Sequence, residues 1–198
     1  MDRLLAALNQ FRKPAKRGVA RLIVMTDTAR GYDLACQSTI APKGAWLIER
    51  TFGQRATPCQ SRAFMLATVT PRQARQAKLV GVHWPEKRLR MRKRSQSGSL
   101  VETASAHRGL TLGLASQRGL SIFLVSTAFR SDSPSAKTPK GPVRLALLQR
   151  TFPACQIFAL GGIHEQTVKR LINTGIYGVA LVSLAKPSAK QARLKLKR

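Results

Sequence analysis

The chain has 198 residues, 43% of them hydrophobic, enough for one domain with a full core and short for two. Its 35 lysines and arginines face only 8 aspartates and glutamates, a formal charge of +27 that attracts phosphates, nucleic acid or anionic surfaces before any specific site is considered. The three cysteines, Cys36, Cys59 and Cys155, are odd in number and far apart, which excludes a disulfide framework or a metal knuckle and fits a reducing cytoplasm. The apolar run at 4–8 is too short for a signal-peptide core, and no run approaches the roughly 18 residues of a membrane span. A soluble protein with no membrane partner is expected.

Residues 1–20 join a short amphipathic start to Arg12, Lys13, Lys16 and Arg17, and read as a basic arm or a frayed tail. Residues 21–26, RLIVMT, predict the first strand, with Asp27 at its end. The polar stretch 28–43 leaves room only for a poor helix. The second strand is expected at 45–49, followed by Arg50. A guanidinium there can grip a phosphate bidentately, or pair with one of the few acids. Residues 63–68 predict a third strand and 71–78 a helix opening on Pro71, where a missing N–H does no harm.

A fourth strand at 80–83 leads into the densest positive run, Lys87, Arg88, Arg90, Arg92, Lys93 and Arg94. Such a run is a solvated face or a contact for nucleic-acid phosphates, of the weak and nonspecific kind. No aromatic residues are interleaved with it, so a stacking platform for single strands is not indicated. The fifth strand is expected at 100–104, followed by Ser105, Ala106 and His107. An imidazole in that turn can take and return a proton near neutral pH, or cap the next helix. His83 on a strand and His164 in a turn are too scattered for a metal cluster. The sixth strand, 121–125, runs into a loop carrying Ser131, Ser133 and Lys137, and then a helix at 142–150.

The final stretch, QIFALGGIHEQTVKRLINTGIYGVALVSLA, reads as strand, glycine turn, helix, glycine stop and strand. Residues 156–160 form the first strand of this unit; Val168, Leu171 and Ile172 share a helical face. Gly175 stands where a helix end wants a left-handed residue, and 178–182 is apolar throughout, as in a strand buried on both faces. Gly161, Gly162, Val182 and Ser183 bare backbone N–H groups that would cradle a phosphate, although the bend alone also accounts for the glycine pair. Eight strands in all imply a parallel (β/α)8 barrel, small for its class. Asp27, Arg50, His107, Ser131, the glycine pair and Ser183 each follow a predicted strand, which places them at the C-terminal rim where such barrels do chemistry. Residues 186–198 form a basic C-terminal helix or tail.

The segments ALGGI, VALVS, GVHWPEKRL, SAH and VSTAFRSDS resemble motifs of the thiamine phosphate synthase and thiazole tautomerase family over residues 21–185. That resemblance implies a (β/α)8 barrel and two substrates, a phosphorylated thiazole and an aminopyrimidine pyrophosphate. It makes His107, Ser105 and Arg50 the catalytic candidates. Gly161, Gly162, Val182, Ser183, Ser131, Ser133 and Lys137 become the phosphate or pyrophosphate ligands. Ser131 and Ser133 fall on two threonines of the family pattern, and Pro134 falls on its lysine, so Lys137 has to stand in. The family's magnesium aspartates align with Val69 and Arg88. Valine has no ligand to offer and arginine repels the ion, so no metal residue is assigned. Arg50, Arg88 and Lys137 are the candidates for supplying positive charge instead. Three functions follow: a divergent synthase, a tautomerase using the same phosphate site, and a non-catalytic basic barrel binding phosphate or nucleic acid.

Overall fold

Each strand carries buried side chains on both faces, so neither face can be left to water. In the first, Leu22 and Val24 point one way and Ile23 and Met25 the other, and all four are buried. A sheet of such strands needs a core on each side, and closing it on itself provides both. The computed structural model has this form. It describes all residues except 12–17, 59–63, 93–97, 132, 134–135 and 183–198.

The strands are β1 (Leu22–Met25), β2 (Trp46–Glu49), β3 (Phe64–Ala67), β4 (Gly81–Trp84), β5 (Val101–Ala106), β6 (Ile122–Ser126), β7 (Gln156–Leu160) and β8 (Gly178–Leu181). Each pairs in parallel with the next, and β8 pairs with β1 to close the barrel. The ladder is longest between β6 and β7, where Ile122 to Ser126 lie opposite Gln156 to Leu160. It is shortest between β3 and β4, where Leu66 faces Gly81 and Ala67 faces Val82.

Alternation divides the core in two. Ile23, Met25, Trp46, Ile48, Leu66, Leu124 and Phe158 fill the lumen. Leu22, Val24, Leu47, Val82, Phe123 and Val179 pack outward under the helices. The N-terminal end of the lumen is stoppered by aromatics. Trp46 stacks on Phe64 at 4.5 Å, and Tyr177 lies 5.4 Å from Phe158, with the Arg21 guanidinium over its ring and its hydroxyl donating to the Val19 carbonyl. Solvent access to the lumen is thereby left to the opposite end.

The helices are uneven, and none is described between β2 and β3. They are α1 (Asp2–Asn9), α2 (Leu34–Ile40), α3 (Pro71–Gln76), α4 (Gly109–Gln117), α5 (Gly141–Thr151) and α6 (Glu165–Lys169). Where the sequence suggests a basic arm, α1 buries Leu4, Ala7 and Leu8, so the beginning of the chain is docked rather than frayed. The basic residues 12–17 and the tail 186–198 lie outside the described residues. Between β1 and β2 the chain makes a three-ten turn, Thr28–Arg30, and then α2, whose N-cap Asp33 accepts from the Cys36 N–H at 2.8 Å. Thr70 and Gln73 form a reciprocal capping box on α3, and Pro71 sits in its first turn as expected.

After β4 the described return is a three-ten segment, Glu86–Met91, with no α-helix. An ion pair stands where helix side chains would pack. Arg92, 8% exposed, donates through Nε and Nη2 to Glu102 at 2.9 and 2.5 Å, and through Nη1 to the Arg118 carbonyl at 2.7 Å. Glu102 also accepts from the Trp84 indole at 2.7 Å. Removing one partner strands a buried charge, which typically costs several kcal/mol. Glu102→Ala is therefore expected to lower the unfolding free energy by roughly 3 kcal/mol in urea titration; a loss within experimental error would show that the pair carries no stability.

Candidate active site

The C-terminal mouth of the barrel opens into a cleft of about 1750 Å³. Arg50, Ser105, His107, Ser131, Ser133, Lys137, Gly161, Gly162 and Val182 all line it. Sequence positions spread over more than 130 residues thus meet at one mouth. Ser183 lies outside the described residues.

The glycine pair is conformationally required. Gly161 and Gly162 have φ of 97° and 66°, and a Cβ on Gly162 would come within 2.3 Å of the Arg130 carbonyl oxygen. This close approach locks two loops together. Ala128 and Phe129 donate their N–H groups to the carbonyls of Leu160 and Gly161 at 2.9 and 3.0 Å. Thr127 then draws the next loop inward: its hydroxyl accepts from the Lys137 N–H at 2.9 Å, and its carbonyl from the Lys140 N–H at 2.9 Å. That fold brings Lys137 to the cleft despite its displacement in sequence. Among the described residues, the Gly162 and Ile163 N–H groups reach no acceptor, which leaves them available to an anion. The helix that follows is only five residues long, capped by Thr167 bonding to the His164 N–H, so the bare turn is the stronger feature. The Val182 carbonyl is taken by the buried amide of Gln37.

Three positions differ from expectation. Ser105 belongs to β5 itself, not to the turn after it. Arg50 is held by Asp27, 3.3 Å from Nη1, in a cluster with Arg30, which reaches the same carboxylate oxygen at 2.8 Å. Its guanidinium also stacks 4.7 Å over Phe52, so Arg50 lines the cleft already paired with an acid and a ring. Arg88 donates to the Thr68 carbonyl at 3.1 Å and stands outside the cleft lining.

His107 does face the cleft, and its Nδ1 meets Glu86. Burial disfavours the Glu86 charge, yet hydrogen bonds from Thr111 and His107 and the attraction of the imidazole outweigh it, so its carboxyl sits below the usual range. A carboxylate behind an imidazole fixes the orientation of the ring, as a proton shuttle requires. Burial also lowers the pKa of nearby Lys140, as do Arg144 and Lys137, while Glu86 opposes them.

Sequence reasoning set aside His83, and the structure puts it at the centre. It is 2% exposed on the lumen face of β4. Nδ1 meets the Thr103 hydroxyl and Nε2 the Ser105 hydroxyl, both at 2.8 Å. Thr103 and Ser105 are two apart on β5, and the register sets Thr103 directly opposite His83. That period of two was the available signal: polar residues on a face that is mostly apolar. Glu86, Arg108 and Arg130 also line the cleft and were not singled out.

The family model described as thiamine monophosphate synthase matches residues 61–185, well over half of the chain. The chain belongs to the thiamine monophosphate synthase family. Among curated protein sequences none matches it. Thiamine phosphate pyrophosphorylase from Pyrococcus furiosus is 14% identical, with a TM-score of 0.58 over 87% of this chain and 90% of that one. The same barrel occurs in other chemistry. The native KDPGal structure has a TM-score of 0.62 at 14% identity, over 94% of this chain and 100% of that one. The 2-keto-3-deoxy-6-phospho-gluconate aldolase of Zymomonas mobilis has 0.57 at 15%, over 96% and 93%. These likenesses establish the fold; the membership comes from the family match.

Within a thiamine monophosphate synthase family barrel the magnesium site can be tested on its residues. Val69 is apolar and 4% exposed, and Arg88 brings a cation to the carbonyl of its neighbour Thr68. These residues do not fit the ion.

Two outcomes are expected. Gly162→Ala forces the Phe129–Arg130 backbone aside and places alanine at positive φ, which costs about 1–3 kcal/mol. Its binding of a phosphorylated ligand, measured by calorimetry, should fall at least tenfold; unchanged affinity would remove the turn from the site. The second concerns acid. Burial first and the Arg50 charge second lower the His83 pKa to about 3 from 6.5. The folded state therefore resists a proton that the unfolded state accepts, so stability is full above pH 6.5 and declines as pH falls toward 3. Between pH 6.5 and 4 this amounts to roughly 3 kcal/mol. His83→Asn should flatten that part of the urea-derived stability profile.

Proposed function

We propose that this protein joins an aminopyrimidine pyrophosphate to a thiazole phosphate with release of pyrophosphate, by a variant of the family reaction that relies on protein cations. The supporting observation is the convergence on one cleft of the Gly161–Gly162 turn with Ser131, Ser133 and Lys137, facing the lumen histidine. The thiazole phosphate rests on the N–H groups of Gly162 and Ile163, with serine hydroxyls beside it. Its ring nitrogen attacks the methylene carbon of the pyrimidine. A C–N bond forms as the C–O bond to pyrophosphate breaks, and the leaving group takes the electron pair.

Charge on the departing pyrophosphate then has to be met. Lys137, Arg130 and Arg108 line the cleft and have no carboxylate partner among the described residues, unlike Arg50. They supply the positive charge in this reading, and the fold contributes positioning. His83 is neutral and has a hydroxyl at each nitrogen, so it serves to orient Ser105 rather than to carry charge.

The His107–Glu86 pair favours a second reading. A thiazole tautomerase needs the same phosphate cradle and a proton shuttle, and no magnesium aspartates. Calorimetry with thiazole phosphate and with aminopyrimidine pyrophosphate, with and without magnesium, separates the two. The synthase reading expects both to bind, thiamine phosphate to form, and Lys137→Ala to lower kcat/KM about 100-fold. Binding of thiazole phosphate alone would favour the tautomerase. Binding of neither would leave a non-catalytic basic barrel, and a steep loss of nucleic-acid binding with salt would then identify its ligand.

A further inference from the structure

The cleft is larger than its proposed small substrates need. Pockets for such molecules run to roughly 300–1,000 Å³, whereas this one reaches about 1750 Å³. Its lining extends along Lys87, Leu89 and Arg90 of the Glu86–Met91 segment on one side and Leu110, Thr111 and Leu114 of α4 on the other. Leu110 and Leu114, one turn apart on α4, are 74% and 51% exposed, and both line the cleft with Leu89.

The charge around this strip has a pattern. No residue of α4, GLTLGLASQ, is charged, yet arginines stand at both caps, Arg108 before it and Arg118 after. Arg90 and Lys87 line the facing wall. None of these four has a carboxylate partner among the described residues. An apolar strip this exposed, rimmed with unmatched cations, is incomplete on its own.

Charge complementarity selects the occupant. The chain's own residues 186–198 carry six lysines and arginines and no acid, and a second copy carries +27, so the rim repels both. Nucleic acid would answer the arginines but has no use for a leucine floor that lacks stacking rings. A helix with leucine-like anchors one turn apart and carboxylates on either side satisfies floor and rim together. We propose that the groove between α4 and the Glu86–Met91 segment docks an acidic amphipathic helix of another protein. Because the groove opens into the barrel mouth, such a partner would stand beside the substrate cleft. The inference does not depend on which reaction the cleft performs.

The test is fluorescence anisotropy at 0.15 M salt. The probe is a labelled 15-residue peptide of alanine, leucine and glutamate, with two pairs of leucines at i and i+4 flanked by glutamates. The full chain should bind it saturably. Leu110→Ser with Leu114→Ser should weaken binding at least tenfold, as should Arg108→Ala with Arg118→Ala. A peptide of the same composition with dispersed leucines should also bind at least tenfold more weakly. Both leucines are exposed, so an unchanged thermal melt is expected for the serine variant; the arginine variant tests the rim independently. Absence of saturable binding, or equal binding of the dispersed peptide or of the serine variant, would overturn the proposal. So would leucine-dependent binding to vesicles of phosphatidylcholine with about 30% phosphatidylglycerol, or leucine-dependent binding to oligouridylate, since either would assign the strip to another class of partner.

Discussion

Closure of the sheet is the constraint on which the rest depends. The last strand has to come within hydrogen-bonding distance of the first, and the backbone meets that demand at one tight point. The Val179 N–H donates to the Arg21 carbonyl at 2.9 Å, and a Cβ on Gly178 would stand 2.2 Å from the same oxygen. A side chain there would push β8 off β1. With the ring closed, every strand presents alternate residues to a lumen too narrow for water-filled space, and the inward set must be chosen for shape. Aromatics crowd the N-terminal end. His83, Thr103 and Ser105, on the adjacent strands β4 and β5, form a hydrogen-bonded polar group within that inward set.

The second organising fact is the scarcity of acids. With eight carboxylates in the sequence, each well-placed one orders several groups around it. Asp27 gathers Arg30 and Arg50, Glu102 gathers Arg92 and Trp84, and Glu86 gathers His107 and Thr111. Lys87, Arg90, Arg108, Arg118, Arg130 and Lys137 line the cleft with no carboxylate partner among the described residues. In a family whose substrates carry phosphate and pyrophosphate, a mouth with unmatched guanidinium and ammonium groups is the expected complement. Arg88, which the resemblance sets opposite a family carboxylate, sits against the Thr68 carbonyl and offers no ligand to a metal.

The barrel was legible from the sequence because its strands are continuous apolar runs bounded by glycine, proline and polar residues. The run 156–160 reads correctly to the residue, since two glycines stop it at one end. Helices were harder to read. Residues 28–43 split into a three-ten turn and α2 because Gly31 adopts φ of 86°, and the hydrophobic pattern carries no trace of that break. The rim was legible in part, for a reason of topology: a residue that follows a strand has to appear at the mouth. What lay beyond reach was which partner each side chain would choose. The fate of Arg50 depended on an aspartate 23 positions away, and the role of His83 on the register between two strands. Neither is local information.

The short ladder between β3 and β4 has a consequence of its own. A closed ring resists opening as strongly as its weakest seam, and here Leu66 with Gly81 and Ala67 with Val82 carry that seam. The strand beyond it, β4, is followed among the described residues by a short three-ten segment and not by an α-helix that would clamp it from outside. Local opening of the sheet is therefore expected on this flank before the β6–β7 side, which has five pairs in register and the interlocked glycine turn. The molecule behaves as a ring with a clasp, and the clasp lies beside the strand that holds the lumen histidine.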